Sequence, residues 1–87
     1  MAKFSLTFRE SVAKDLRAIP KADVKRVLRR IDKLAEDPRG PGSEKLAGSE
    51  NYRVRQGMYR IIYEIRDEVL VVVVVKVGNR RDVYRGI

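Results

Sequence analysis

Tyr52-Arg-Val-Arg-Gln-Gly-Met-Tyr-Arg-Ile-Ile-Tyr-Glu-Ile-Arg66 alternates apolar and charged residues on either side of a glycine. Tyr52 and Val54 alternate with Arg53 and Arg55 before Gln56-Gly57, which reads as a reversal. Tyr59, Ile61, Tyr63 and Ile65 then alternate with Arg60, Ile62, Glu64 and Arg66. Successive side chains of a strand point to opposite faces, so the period predicts a β-hairpin with one apolar face and one face of arginines. Placing both apolar sets together predicts Val54 opposite Tyr59, and therefore Arg53 opposite Arg60. Like charges facing each other across strands are unfavourable by roughly 0.2–1 kcal/mol. An anion held between them would explain the pair.

Downstream, Asp67-Glu68 predicts a tight turn and residues 69–77 a third long strand. Its unbroken valines imply burial on both faces and a central position. The turn length leaves open whether Lys76 shares the arginine face. Gly78-Asn79 ends the strand, and Arg80, Arg81, Asp82, Val83 and Tyr84 form a short basic tail.

Upstream, Phe4, Leu6 and Phe8 alternate with Lys3, Ser5 and Thr7, predicting a first strand with that apolar set buried. Val12, Leu16 and Ile19 recur at helical spacing, and Pro20 ends this short helix while suiting an early position of the next. Val24, Val27, Leu28, Ile31, Leu34 and Ala35 form the apolar stripe of a second helix. It should stop before Asp37-Pro38, because the residue before proline avoids helical dihedrals. Residues 38–44 read as a loop and 45–48 as a single turn. The fold class is α+β, in the order β-α-α-β-β-β. Two antiparallel helices pack on one face of a small twisted, mainly antiparallel four-stranded sheet, and the arginines lie on the other. Residues 1–87 make a single domain.

Twenty Lys and Arg against 12 Asp and Glu leave a net charge of +8 on 87 residues. So strong a positive field points to nucleic acid or another polyanion. The Lys and Arg residues of the second helix read as a solvated face able to touch phosphates without sequence preference. Without His or Cys, Ser-His-Asp triads, thiol nucleophiles, disulfides and the usual zinc sites are absent. The acids do not cluster as magnesium ligands, and Gly40 and Gly42 lack the lysine and helix of a phosphate loop. No metal or cofactor is expected. The valine run is too short to span a bilayer, no signal peptide precedes the first strand, and a cytoplasmic location is expected, with no membrane partner.

The remaining chemistry is attack of an RNA 2′-hydroxyl on its adjacent phosphate. It needs in-line positioning, stabilisation of the developing charge and help with protons. Guanidiniums suit the charge, gripping phosphate oxygens bidentately, but their pKa values above roughly 12 make them poor acids and bases.

Leu46-Ala-Gly-Ser-Glu-Asn-Tyr52-Arg-Val-Arg, Tyr59-Arg60-Ile-Ile-Tyr63 and Val77-Gly78-Asn79-Arg80-Arg-Asp-Val-Tyr84 resemble the RelE/ParE toxin superfamily, on its RelE side. The helix ending Leu34-Ala-Glu-Asp37-Pro38 fits as well. The resemblance implies a RelE-like fold and the toxin of a toxin–antitoxin pair. Such a toxin is an endoribonuclease, or mRNA interferase, that cuts mRNA in the ribosomal A site and is neutralised by a RelB-like antitoxin. It also implies roles. Arg60 stabilises charge on the scissile phosphate, Arg80 supports the leaving group, and Tyr84 orients the nucleotide and assists the 2′-hydroxyl. Arg53, Arg55, Lys45 and Arg81 are the expected substrate-binding residues. Arg53 and Arg55 stand where founding RelE members carry lysines, so the charge role survives there and a proton-accepting role does not. Tyr84 is then the preferred base, ahead of Lys45 and Glu50. Tyr52, Tyr59 and Tyr63 read as core rings with wet hydroxyls. The alternatives are a ParE-like DNA gyrase inhibitor and a non-catalytic ribosome- or RNA-binding module.

Overall fold

The computed structural model describes residues 3–79. Its elements run β1 (Ser5–Phe8), α1 (Glu10–Arg17), α2 (Lys21–Glu36), β2 (Glu44–Lys45), β3 (Asn51–Gln56), β4 (Tyr59–Arg66), a 3-10 turn (Asp67–Val69) and β5 (Val71–Asn79). The sheet order is β1-β5-β4-β3-β2, antiparallel except where β1 lies parallel to β5. The expected helices, hairpin and long strand are present, and among the described residues the sheet has five strands rather than four. The addition is β2, only two residues long and too short to carry an alternation signal.

Pro20 sits one position before the first residue of α2, and its carbonyl accepts the amides of Asp23 and Val24 at 2.9 and 3.0 Å. This satisfies two of the donors that a helix start leaves open. Val27, Ile31, Leu34 and Ala35 are buried along one stripe, and α2 ends at Glu36, ahead of Asp37-Pro38. Leu28 at the stripe's margin is exposed, as is Phe8, at 43%, where β1 gives way to α1. Their apolar spacing alone predicts burial for both.

Val54, Ile61, Tyr63, Val72, Val74 and Val77 meet Val12, Ile19, Val27, Ile31 and Leu34 in one core. The step from Val74 to Val77 breaks the two-residue period. Ile62 pairs with Lys76 but Tyr63 with Val74, so Val75 is an extra residue that restores the apolar face beyond it. β5 begins at Val71 rather than residue 69, because the chain first makes the 3-10 turn and Leu70 adopts a left-handed φ of 53°. β5 is nonetheless interior, paired on both sides, with Val72, Val73 and Val74 buried.

Polar anchors hold the layers together. Pairing with β1 reaches only Val74; farther along β5, Asp15 of α1 accepts the Val77 amide at 3.1 Å. The Tyr59 hydroxyl donates to Asp23 at 3.0 Å, and the buried Tyr63 hydroxyl to the Pro38 carbonyl at 2.6 Å. Burial pushes the Tyr63 phenol above its ordinary pKa. Tyr63 stacks on Tyr52 with centroids 5.9 Å apart. Arg39 lies over the Tyr52 ring and donates twice to Asp67, at 2.9 and 2.8 Å. The three rings therefore pack in or against the core as expected, but the hydroxyls are not simply wet: each is hydrogen-bonded within the protein, and that of Tyr63 is buried.

Tyr63→Phe should leave the Pro38 carbonyl without this donor and cost about 1–3 kcal/mol. Ile31→Ala should cost about 2–5 kcal/mol through lost burial and a cavity. Urea unfolding followed by circular dichroism tests both; an unchanged midpoint for Tyr63→Phe would show that its hydroxyl contributes nothing.

Candidate nucleic-acid interface

Two rows of side chains cross the face of the sheet turned away from the helices. One runs Gly78, Arg60, Arg55 across β5, β4 and β3; the next runs Lys76, Ile62, Arg53, Glu44 and reaches β2. Arg60 therefore faces Arg55, and not Arg53 as the alternation implied. The reversal is made by Gly57 and Met58, with Gly57 at φ 60° in the first central position, the pattern of a type II′ hairpin turn. Relative to the expected pairing, β4 has moved two residues along β3. An even slip leaves every side chain on its own face, so the faces were right and the register was not.

Arg60 is buried, at 8% exposure, between Arg55 on one side and a glycine on the other, where Gly78 adds no side chain to the row. Burying a guanidinium is costly without anionic or hydrogen-bonding partners, so this position asks for negative charge nearby. Glu44 supplies some. Its Oε2 accepts the Arg53 Nε at 3.0 Å and also a terminal guanidinium nitrogen of Arg53. These bonds, then the charges of Arg53, Arg55 and Arg60, hold the Glu44 carboxyl below the usual carboxylate range. One carboxylate thus senses all three arginines.

Lys76 shares this face opposite Ile62, with its Nζ 4.0 Å from Asp15. Lys45 does not: it pairs with Tyr52, so alternation turns it to the other side of the sheet from Glu44 and Arg53. It lies 3.9 Å from Glu50, whose side chain is 91% exposed. Arg80, Arg81 and Tyr84 lie outside the described residues. The structure thus brings Arg53, Arg55 and Arg60 together and separates Lys45 and Glu50 from them. Sequence reasoning missed Glu44, whose link to Arg53 exists only through the unrecognised β2.

Residues 6–84 match the profile of a family described as ParE toxin of type II toxin–antitoxin system, parDE. The chain is 30% identical to Toxin RelG of Mycobacterium tuberculosis, over 94% of this chain and 97% of that protein. It superimposes with a TM-score of 0.81, at 25% identity, on a chain of the toxin–antitoxin complex RelBE2 from Mycobacterium tuberculosis, covering 90% of this chain and 99% of that one. Against the archaeal RelE–RelB complex from Pyrococcus horikoshii the TM-score is 0.79 at 30% identity, covering 92% of this chain and 97% of that one.

The Glu44–Arg53 contact makes a testable statement about acid. A carboxylate whose folded value is depressed contributes stability above its ordinary titration range and loses it as pH falls through the folded value. Carboxyl 13C NMR should find Glu44 titrating below the ~4.3 of a free glutamate, and Arg53→Ala should move it upward. An unchanged midpoint in that variant would mean that the pair does not form in solution.

Proposed function

Because the chain belongs to the ParE toxin family of type II toxin–antitoxin systems, we propose that it is a RelE-type toxin that cuts mRNA in the ribosomal A site. The observation that carries this reading is the gathering of Arg53, Arg55 and Arg60 on the helix-free face, where Arg55 stands opposite Arg60 and Arg53 holds the Glu44 carboxylate. A site that gathers three guanidiniums around an anion is suited to a phosphodiester. In the proposed reaction the 2′-oxygen attacks the adjacent phosphorus, and the bond to the 5′-oxygen breaks. The products are a 2′,3′-cyclic phosphate and a 5′-hydroxyl, with the proton moving overall from the 2′-hydroxyl to the leaving oxygen.

Within that reaction, Arg60 neutralises charge on the non-bridging oxygens as the phosphorane forms. Its rigid strand position means that little reorganisation is needed when that charge appears. Arg55 and Arg53 grip the backbone bidentately and hold the nucleophile in line. The family resemblance assigns Arg80 to the leaving oxygen and Tyr84 to orienting the nucleotide and assisting the 2′-hydroxyl. Arginines do not act as bases near neutrality, and Lys45, 3.9 Å from the exposed Glu50, is turned away from the arginine face. Tyr84 therefore remains the proton-handling candidate. A phenol titrates near 10, so most of the acceleration is assigned to positioning and charge.

The partners of this reading are the ribosome, mRNA and a RelB-like antitoxin. The two structural relatives described above were solved as toxin–antitoxin complexes. An acidic or amphipathic segment laid over the sheet edge or basic face would mask the net +8. Among the described residues, no helix is long and apolar enough to cross a membrane.

The match to a ParE profile supports a second reading, a gyrase inhibitor acting through protein contacts. Induction of wild type, Arg60→Ala, Arg80→Ala and Tyr84→Phe, with primer extension on translated mRNA, separates the two. Arg60→Ala should lower cleavage on the order of 10²-fold or more, with smaller losses for the other two. Undiminished cuts in all three variants would remove the assignment. Intact mRNA with accumulating gyrase–DNA breaks would transfer it to the second reading.

A further inference from the structure

β2 covers β3 only opposite Tyr52 and Arg53, while β3 runs on through residues 54–56. The preceding loop turns away at residues 42–43, where the Ser43 amide bonds back to the Gly40 carbonyl at 3.1 Å. Where the loop leaves the strand, a cleft of about 330 Å³ opens, lined by Arg30, Gly42, Glu44, Arg53, Val54 and Arg55. Arg30 reaches it from α2, the opposite layer of the fold. A terminal nitrogen of its guanidinium donates to the Pro41 carbonyl at 3.1 Å. Gly42 has a φ of 88°, and a Cβ built there would stand 3.4 Å from the same nitrogen. The loop thus passes within contact of the Arg30 head and holds it by the bond to Pro41.

Among the described residues the cleft thus holds three guanidiniums from two layers and one carboxylate, which is already bound to Arg53. Arg55 also belongs to the Arg55–Arg60 row, so the cleft and that row share a wall. We propose that the Arg30–Arg53–Arg55 cleft is a second phosphate subsite, receiving the RNA backbone phosphate next to the one at Arg60, and that Glu44 occupies it in the free protein. The proposal rests on RNA being the ligand of this face. A carboxylate offers the same kind of oxygen pair to a guanidinium fork as a phosphodiester does, so the incoming strand replaces Glu44 on Arg53 rather than adding to it. Each phosphate seated this way releases counterions and steepens the dependence of affinity on salt.

The test uses a short fluorescent 2′-O-methyl RNA, which lacks the nucleophile, and follows binding by anisotropy across a salt series. Arg30→Ala should weaken binding about 5–10-fold at ~0.1 M salt and lower the slope of log K against log salt by about 0.7, the value for one single-strand phosphate. Arg29→Ala, one residue along α2 and outside the cleft, should change the slope by less than half as much. Arg30→Lys should keep the slope and lose part of the affinity. Glu44→Gln should bind several-fold more tightly than wild type. Equal effects of Arg30→Ala and Arg29→Ala, weaker or unchanged binding by Glu44→Gln, or no binding by wild type would each overturn the subsite. Thermal melts of every variant separate lost contacts from lost folding. RNA binding that depends on Arg30, without any mRNA cleavage in cells, would remove the nuclease reading and keep the subsite. Cleavage that depends on Arg60, with wild-type RNA binding by Arg30→Ala, would do the reverse.

Discussion

The pairing of β3 with β4 is the constraint on which the rest of the molecule depends. Alternation along both strands divides their side chains into a set that seals against the helices and a set that carries charge. The two-residue turn at Gly57 and Met58 then decides which members of each set meet. Val54 against Ile61 and Tyr52 against Tyr63 belong to the apolar side. The same register sets Arg55 against Arg60, an arrangement unfavourable in itself. Core and charged face are thus two consequences of one ladder, so the arginines inherit the rigidity of a packed strand pair rather than of a loop.

That ladder is tied to its surroundings by hydrogen bonds from aromatic rings. Tyr63 reaches from the middle of the sheet to the carbonyl of Pro38, at the end of α2, and Tyr59 reaches Asp23 in the first turn of the same helix. Tyr52, stacked on Tyr63, receives Arg39, which in turn holds Asp67 in the turn before β5. The Arg39 bonds keep the Asp67 carboxyl below its usual range. Both ends of α2, the following loop and the β4–β5 turn are thereby referenced to three tyrosine rings of one strand pair. That loop also carries Gly42 and leads into Glu44 of β2, so the chain around Arg30 and Arg53 is placed by the same anchors.

Most of the architecture was legible because its signals are periodic. Two-residue alternation gave the hairpin faces, and the stripe from Val24 to Ala35 gave α2 with its proline-marked limits. What escaped detection left no periodic trace. Alternation cannot distinguish an even slip from no slip, so Arg53 was set opposite Arg60 although Ile62 stands there. A two-residue strand has no period, which hid β2 and with it the bond from Glu44 to Arg53. Phe8 has the parity of a core residue but lies at the strand's end, where the chain is already leaving the sheet. Val75 interrupts a run of valines, and identical residues cannot reveal an extra one among them. Three residues named from family resemblance, Arg80, Arg81 and Tyr84, lie beyond the described range.

The parallel union of β1 with β5 has a consequence for biosynthesis. Ser5 pairs with Val71 and Phe8 with Val74, so β1 must wait for its partner until the two helices and the β3–β4 hairpin have all been made. Such long-range closure slows folding and leaves the early strand's edge unsatisfied meanwhile. The helices and the β3–β4 hairpin can form from local contacts during elongation, but the sheet closes only once β5 has been delivered. Since β5 also supplies the bare Gly78 beside Arg60, the basic face cannot be completed before β5 docks. The charged face of a nascent chain is therefore unfinished until β5 has emerged and paired with β4.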